Sequence, residues 1–124
     1  MNNKKLIQVI FAVLLPLSIY SQVTLSPAFP AVTFTSPVFL THAGDGTNRI
    51  FVLEQAGYIR VFQNDSSVST VNTFLNITNK LSAGGERGLL GLAFHPIYSS
   101  TRYFYIYYTR IGDGALIVSR FTTM

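Results

Sequence analysis

Apolar positions recur in short, strand-like runs, broken roughly every eight to twelve residues by clusters of Gly, Asp, Asn or Ser. Val32 to His42 reads as a first strand, β-branched and aromatic, with a break at Pro37. The turn cluster Ala43–Asn48 follows it. RIFVLEQ and YIRVFQ then flank a two-residue break at Ala56-Gly57, the pattern of a tight hairpin. After the turn Asn64–Ser67, Thr70 to Thr78 is a further strand. RYFYIYYTR, Arg102 to Arg110, holds five aromatic residues and predicts a largely buried strand, since exposing them is costly. Ile111–Gly114 makes the next turn, and Ala115 to Thr122 the last strand. No stretch after the first 21 residues keeps a helical period over several turns, so the expected class is all-β, with antiparallel strands in a sandwich, barrel or propeller.

The first 21 residues have a different pattern. Lys4 and Lys5 precede an apolar stretch from Leu6 to Leu17, and the small residues Ser18 and Ser21 follow. This is the layout of a secretory signal peptide at residues 1–21, with a mature chain from Gln22 and a secreted or periplasmic location. The alternative is an uncleaved anchor. The apolar run falls short of the roughly 20 residues a spanning helix needs, and Pro16 interrupts it. No stable membrane span is expected once the segment is removed.

Removal changes the charge from +4 to +2, because two of the nine basic residues leave with the signal. The remaining Arg and Lys are scattered, which excludes a basic patch for nucleic acid. The chain has no cysteine. Disulfides and thiolate metal sites are therefore excluded, and stability must come from a core, a bound ion or closure of a larger architecture. Asp45-Gly46 and Asp113-Gly114 lack the repeated ligands of a calcium loop and read as hairpin turns. No metal ligands are assigned within the chain.

GGERGLLGLAFHP, Gly84 to Pro96, is the candidate functional stretch. Histidine is the side chain most often used as a general base, so His95 is a possible base. At the end of an apolar strand it equally suits a structural role, satisfying a backbone carbonyl, and His42 on the first strand has the same structural reading. Glu86 and Arg87 are either an exposed turn ion pair or part of a pocket rim, since sites cluster on loops held by rigid scaffolds.

GDGTNRIFVLEQAGYIRVF, GGERGLLGLAFHP, YFYIYYT and VSRF, in that order, resemble the start of the glucose/sorbosone dehydrogenase family, to which the propellers of hedgehog-interacting proteins are related. The resemblance runs from Val32 to Phe121. It implies a six-bladed β-propeller, with residues 22–124 supplying about two blades of an incomplete ring. It also implies that the intact protein holds pyrroloquinoline quinone (PQQ) and calcium and transfers a hydride from an aldose to the quinone. The family's catalytic base is a different histidine, expected beyond Met124, so the chain by itself is expected to bind no cofactor well and to be inactive.

By position, the family's pocket glutamine falls on Glu86, with Arg87 beside it. An ionised carboxylate accepts hydrogen bonds but cannot donate them, and a second negative charge near a trianionic quinone needs an offsetting cation. The alternative function is a non-catalytic propeller that binds a glycan or a protein. Either the chain is the amino-terminal part of a longer protein whose C-terminal blades are missing, or its blades assemble with other chains.

Overall fold

The computed structural model describes residues 22–124, so the expected signal peptide lies outside the described residues. Among the described residues, seven strands form two antiparallel sheets. The first sheet runs β1 (Pro37–His42), β2 (Arg49–Glu54), β3 (Tyr58–Gln63) and β4 (Asn72–Asn76), paired in chain order. The second runs β5 (Leu89–Phe94), β6 (Tyr103–Thr109) and β7 (Leu116–Thr122), also in chain order. A single turn of helix, α1 (Tyr98–Thr101), joins β5 to β6.

Strand alternation decides which side chains meet between the sheets. Phe51 and Leu53 of β2 stand opposite Val61 and Ile59 of β3 and face the second sheet. From the other side come Leu92, Phe104 and Ile106, all buried, with Phe94 and Phe121 packed against them. Phe51 lies 4.7 Å from Phe94 and 5.0 Å from Phe74, which in turn is 5.0 Å from Phe104. These centroid separations fall in the range where tilted and edge-on aromatic pairs add to the burial of their area. β5 lies beside β1 and β2, so the first strands of the two sheets are neighbours.

The outer face of the first sheet carries a buried carboxylate. Glu54 is 5% exposed and accepts hydrogen bonds from the Thr35 amide at 2.9 Å and from Arg60 Nε at 2.8 Å. Arg60 also donates to Thr73 Oγ1 and lies 4.3 Å over the Tyr58 ring. One ion pair therefore joins the incoming segment, β2, β3 and β4. Phe29 and Phe34 of that incoming segment pack against Phe62 on the same face.

Three sequence expectations change. The first strand begins at Pro37, and residues 32–36 instead approach the outer face, where the Ser36 carbonyl accepts from the Gln55 amide. The β2–β3 hairpin has a three-residue loop, Gln55–Gly57, because Glu54 pairs with Tyr58. Gly57, at φ +113° and with Thr78 backbone 3.1 Å from where a Cβ would sit, suits that loop as few other residues would. Finally, β6 is buried on one face only: Phe104, Ile106 and Tyr108 are covered, whereas Tyr103, Tyr105 and Tyr107 are half-buried.

Phe51→Ala is expected to cost about 3–5 kcal/mol, the range for emptying a packed aromatic site. Glu54→Ala, which leaves Arg60 without its partner, is expected to cost about 3 kcal/mol. Val118→Ala, at a site 69% exposed, should stay within about 0.5 kcal/mol. Denaturant unfolding of the three variants checks the order.

Candidate functional site

The connections β2–β3, β4–β5 and β6–β7 all lie at one end of the sheets, because every pairing is antiparallel and Gln55 meets Gly88. At that end Gly84 and Arg87 exchange two backbone hydrogen bonds of 3.1 Å, closing a two-residue turn with Gly85 and Glu86 at its tip. Gly85 has φ +57° and Glu86 is not among the residues of positive φ, the combination found when Gly takes the first place of a II′ turn.

Gln55 holds this turn. Its Nε2 donates to the carbonyls of Gly85 (2.7 Å) and Arg87 (3.0 Å), and its own carbonyl accepts from the Leu89 amide at 3.0 Å. Gly88 sits so close to Gln55 that a Cβ on it would meet the Gln55 oxygen at 2.5 Å. On its other side the Gly88 carbonyl accepts from the Thr109 amide at 3.0 Å, and the Gly88 amide donates to Thr109 Oγ1 at 3.4 Å. The turn is thus fastened to both sheets. The β6–β7 turn beside it is fastened separately: Asp113 accepts from Arg110 and from the Ala115 amide. The Arg110 hydrogen bond, with that amide, holds the exposed Asp113 carboxyl down to about 2.

The structure brings Glu86 and Arg87 together on the exposed turn without pairing them. Neither side chain makes an ion pair among the described residues. Arg87 lies toward the β6–β7 turn, its guanidinium carbon 3.8 Å from where a Cβ on Gly114 would be. Glu86 therefore offers a free acceptor and Arg87 a free donor fork. Of the two alternatives for this pair, the turn ion pair is not formed.

His95 and His42 are elsewhere. Glu86 precedes β5 and His95 follows it, and six residues at about 3.3 Å each separate the two by about 20 Å. The His95 Nδ1 accepts from the Ile97 amide at 3.2 Å, and the His42 Nδ1 accepts from the Gly44 amide at 3.1 Å. Each imidazole holds the turn that follows its strand, by accepting a backbone N–H rather than donating to a carbonyl. Among the described residues no three His, Cys, Asp or Glu side chains converge as metal ligands.

Sequence reasoning missed Gln55. Its role depends on two carbonyls some thirty residues away, and no local pattern in EQAG announces that. Gly88 stands in plain view within its motif, but what distinguishes it is the approach of Gln55.

A first sheet of four strands, a second stacked on it with the first strands adjacent, and polar turns gathered at one end define blades of a β-propeller. Residues 34–123 match the Glucose / Sorbosone dehydrogenase family, and the chain belongs to it. The structure is similar to the PQQ-bound aldose sugar dehydrogenase of Streptomyces coelicolor, with a TM-score of 0.61 and 25% identity over 76% of this chain and 26% of that one. It is also similar to the structure described as an oxidoreductase (glucose dehydrogenase) from Thermus thermophilus, with a TM-score of 0.59 and 30% identity over 73% of this chain and 25% of the other. Hedgehog-interacting proteins of mouse and human are 38% identical over 77 residues, 59% of this chain. The chain spans about a quarter of the length of the two solved structures and 11% of the hedgehog-interacting proteins. No helix among the described residues is long and apolar enough to cross a membrane.

Gly88→Ala is expected to destabilise the chain by about 2 kcal/mol or more, through the clash with Gln55 and the strained φ of +149°. Gly112→Ala meets no atom within 4 Å and carries only its backbone strain at φ +96°, so it should cost less. Thermal melts of both variants give the comparison. Carbon-detected titration should place the Asp113 carboxyl near 2. The folded value is depressed, so the group stabilises the fold above its unfolded value of 3.8 and loses that contribution as pH falls toward 2. A midpoint at 3.8 would show the turn to be open in solution.

Proposed function

We propose that the intact protein is an exported, quinoprotein-like dehydrogenase acting on an aldose, and that the Glu86–Arg87 turn forms part of its pocket rim. The observation that carries this reading is the fastening of that turn by Gln55, Gly88 and Thr109, with both charged side chains left exposed and unpaired. Rigid presentation of a few polar groups is what a binding site requires of its scaffold.

The residues fit the edge of a PQQ site. Arg87 is not consumed by Glu86, so its guanidinium is available to a polyanionic quinone, and this offsets the charge of the neighbouring carboxylate. When bound, the quinone supplies the hydride acceptor. Glu86 would accept hydrogen bonds from sugar hydroxyls and orient the ring, and Arg87 would hold the anionic quinone. The base that takes the sugar proton is placed beyond Met124. Calcium is assigned to parts of the intact protein outside these blades.

A second reading is a non-catalytic propeller that binds a glycan or a protein through the same turns. It is favoured by the 38% identity over 77 residues to hedgehog-interacting proteins, whose name gives a protein as their partner.

Complete protein, reconstituted with calcium and PQQ, should reduce a dye in the presence of at least one aldose. Glu86→Ala should lower kcat/KM about tenfold or more, as expected for loss of a charged hydrogen-bond acceptor. Residues 22–124 alone should show no turnover. A folded, complete protein that binds no quinone and oxidises no aldose would leave only the binding reading.

A further inference from the structure

We propose that the end of the first sheet opposite Glu86 carries a separate binding site for a neutral saccharide unit. This does not depend on the dehydrogenase reading. The β1–β2 connection and the start of the β3–β4 connection enclose a cleft of about 390 Å³, lined chiefly by His42, Asp45, Asn48, Arg49, Ile50 and Asn64. That volume falls within the range of small-molecule sites.

The cleft is preorganised. Asp45 Oδ1 accepts from the Thr47 amide (3.1 Å) and hydroxyl (2.6 Å), while Oδ2 accepts from Arg49 at 2.9 Å. Arg49 Nε donates in addition to Thr47 Oγ1. Across the cleft, Asn64 Nδ2 donates to Asn48 Oδ1, Asn48 Nδ2 donates to the Asn64 carbonyl, and the Asn64 amide donates to the Asn48 carbonyl. The walls on the two connections are therefore locked to one another.

The groups left over define the ligand. His42 Nδ1 is engaged with the Gly44 amide, so in the neutral ring Nε2 carries the proton and is a free donor. Each asparagine amide keeps one spare N–H, Arg49 keeps its Nη1, and Asn64 Oδ1 is a free acceptor. Several free donors therefore stand beside one free acceptor, Asn64 Oδ1. A hydroxyl accepts through two lone pairs and donates one proton, so a polyol can serve the donors and the acceptor together, whereas an anion would leave Asn64 Oδ1 unpaired and a cation would leave the donors unpaired. Charge selects in the same direction. Burial acts to raise the Asp45 carboxyl, but the hydrogen bonds from Thr47 and Arg49 outweigh it and hold the group low. Asp45 is therefore ionised at neutral pH, and with Arg49 it forms a self-neutralising pair. Half-buried Ile50 supplies an apolar surface for the C–H face of a sugar ring.

The test is titration calorimetry of the complete protein with glucose, maltose and cellobiose, alongside glucuronate and glucosamine. At least one neutral sugar should bind more tightly than both charged analogues. His42→Ala and Asn64→Asp should each weaken that binding about tenfold, as loss of a hydrogen-bonding group would. Val118→Ala, at an exposed position outside the cleft, should leave it unchanged. Asn64→Asp keeps the shape and an oxygen at the same place, so circular dichroism matching the parent separates loss of binding from loss of fold. Tighter binding of a charged analogue, no binding of any neutral sugar, or neutral-sugar binding left unchanged by His42→Ala would overturn the proposal.

Discussion

A Cβ on Gly88 would lie 2.5 Å from the Gln55 oxygen, and the rest of the structure depends on that close approach. It lets the last residue before β5 press against the hairpin loop of the first sheet. The Leu89 amide then reaches the Gln55 carbonyl, and the Gln55 side chain spans the Gly84–Arg87 turn. The aromatic layer beneath, from Phe51 through Phe94 and Phe74 to Phe104, supplies non-directional attraction between the sheets. The Gln55–Gly88 contact supplies the register that such attraction lacks. Hydrophobic burial brings the sheets together; the polar junction decides how the loops of one meet the loops of the other.

The two ends of the sheets differ for the same reason. At the junction end the backbone groups are used in holding the turn, so Glu86 and Arg87 remain free to act outward. At the opposite end His42 and His95 each accept a backbone amide two residues on, and they serve the turns that follow β1 and β5. Titratable side chains are present at both ends, but at the second their ring nitrogens are partly occupied by local structure. A histidine closing an apolar strand is in this protein a turn residue, about 20 Å along β5 from the carboxylate that shares its motif.

The strands were legible in the sequence wherever short apolar runs were bounded by turn residues. Arg49–Glu54, Tyr58–Gln63 and Leu116–Thr122 all carry that double signal. Pro37 reads as an interruption and is instead the first residue of β1, because it has no amide to donate to a ladder. The tyrosines of β6 read as buried from their composition; alternation places Phe104, Ile106 and Tyr108 on the covered face and leaves Tyr103, Tyr105 and Tyr107 on the other. The candidate site was legible in part. Glu86 and Arg87 stand out as charges between glycines, but Gln55 and the Glu54–Arg60 pair act through contacts distant in sequence or diagonal across strands, which no local pattern records.

Rigidity of the Gly84–Arg87 turn, imposed by Gln55, is what both the fold and the proposed site require. Hydrogen exchange of the Gly84 and Arg87 amides in the complete protein, compared with the Gln55→Ala variant, tests it most directly. Both amides should be protected in the parent, and their protection should fall selectively in the variant, while the Phe51 amide in the core keeps its own. Free exchange of both amides in the parent, or unchanged protection in the variant, would contradict it.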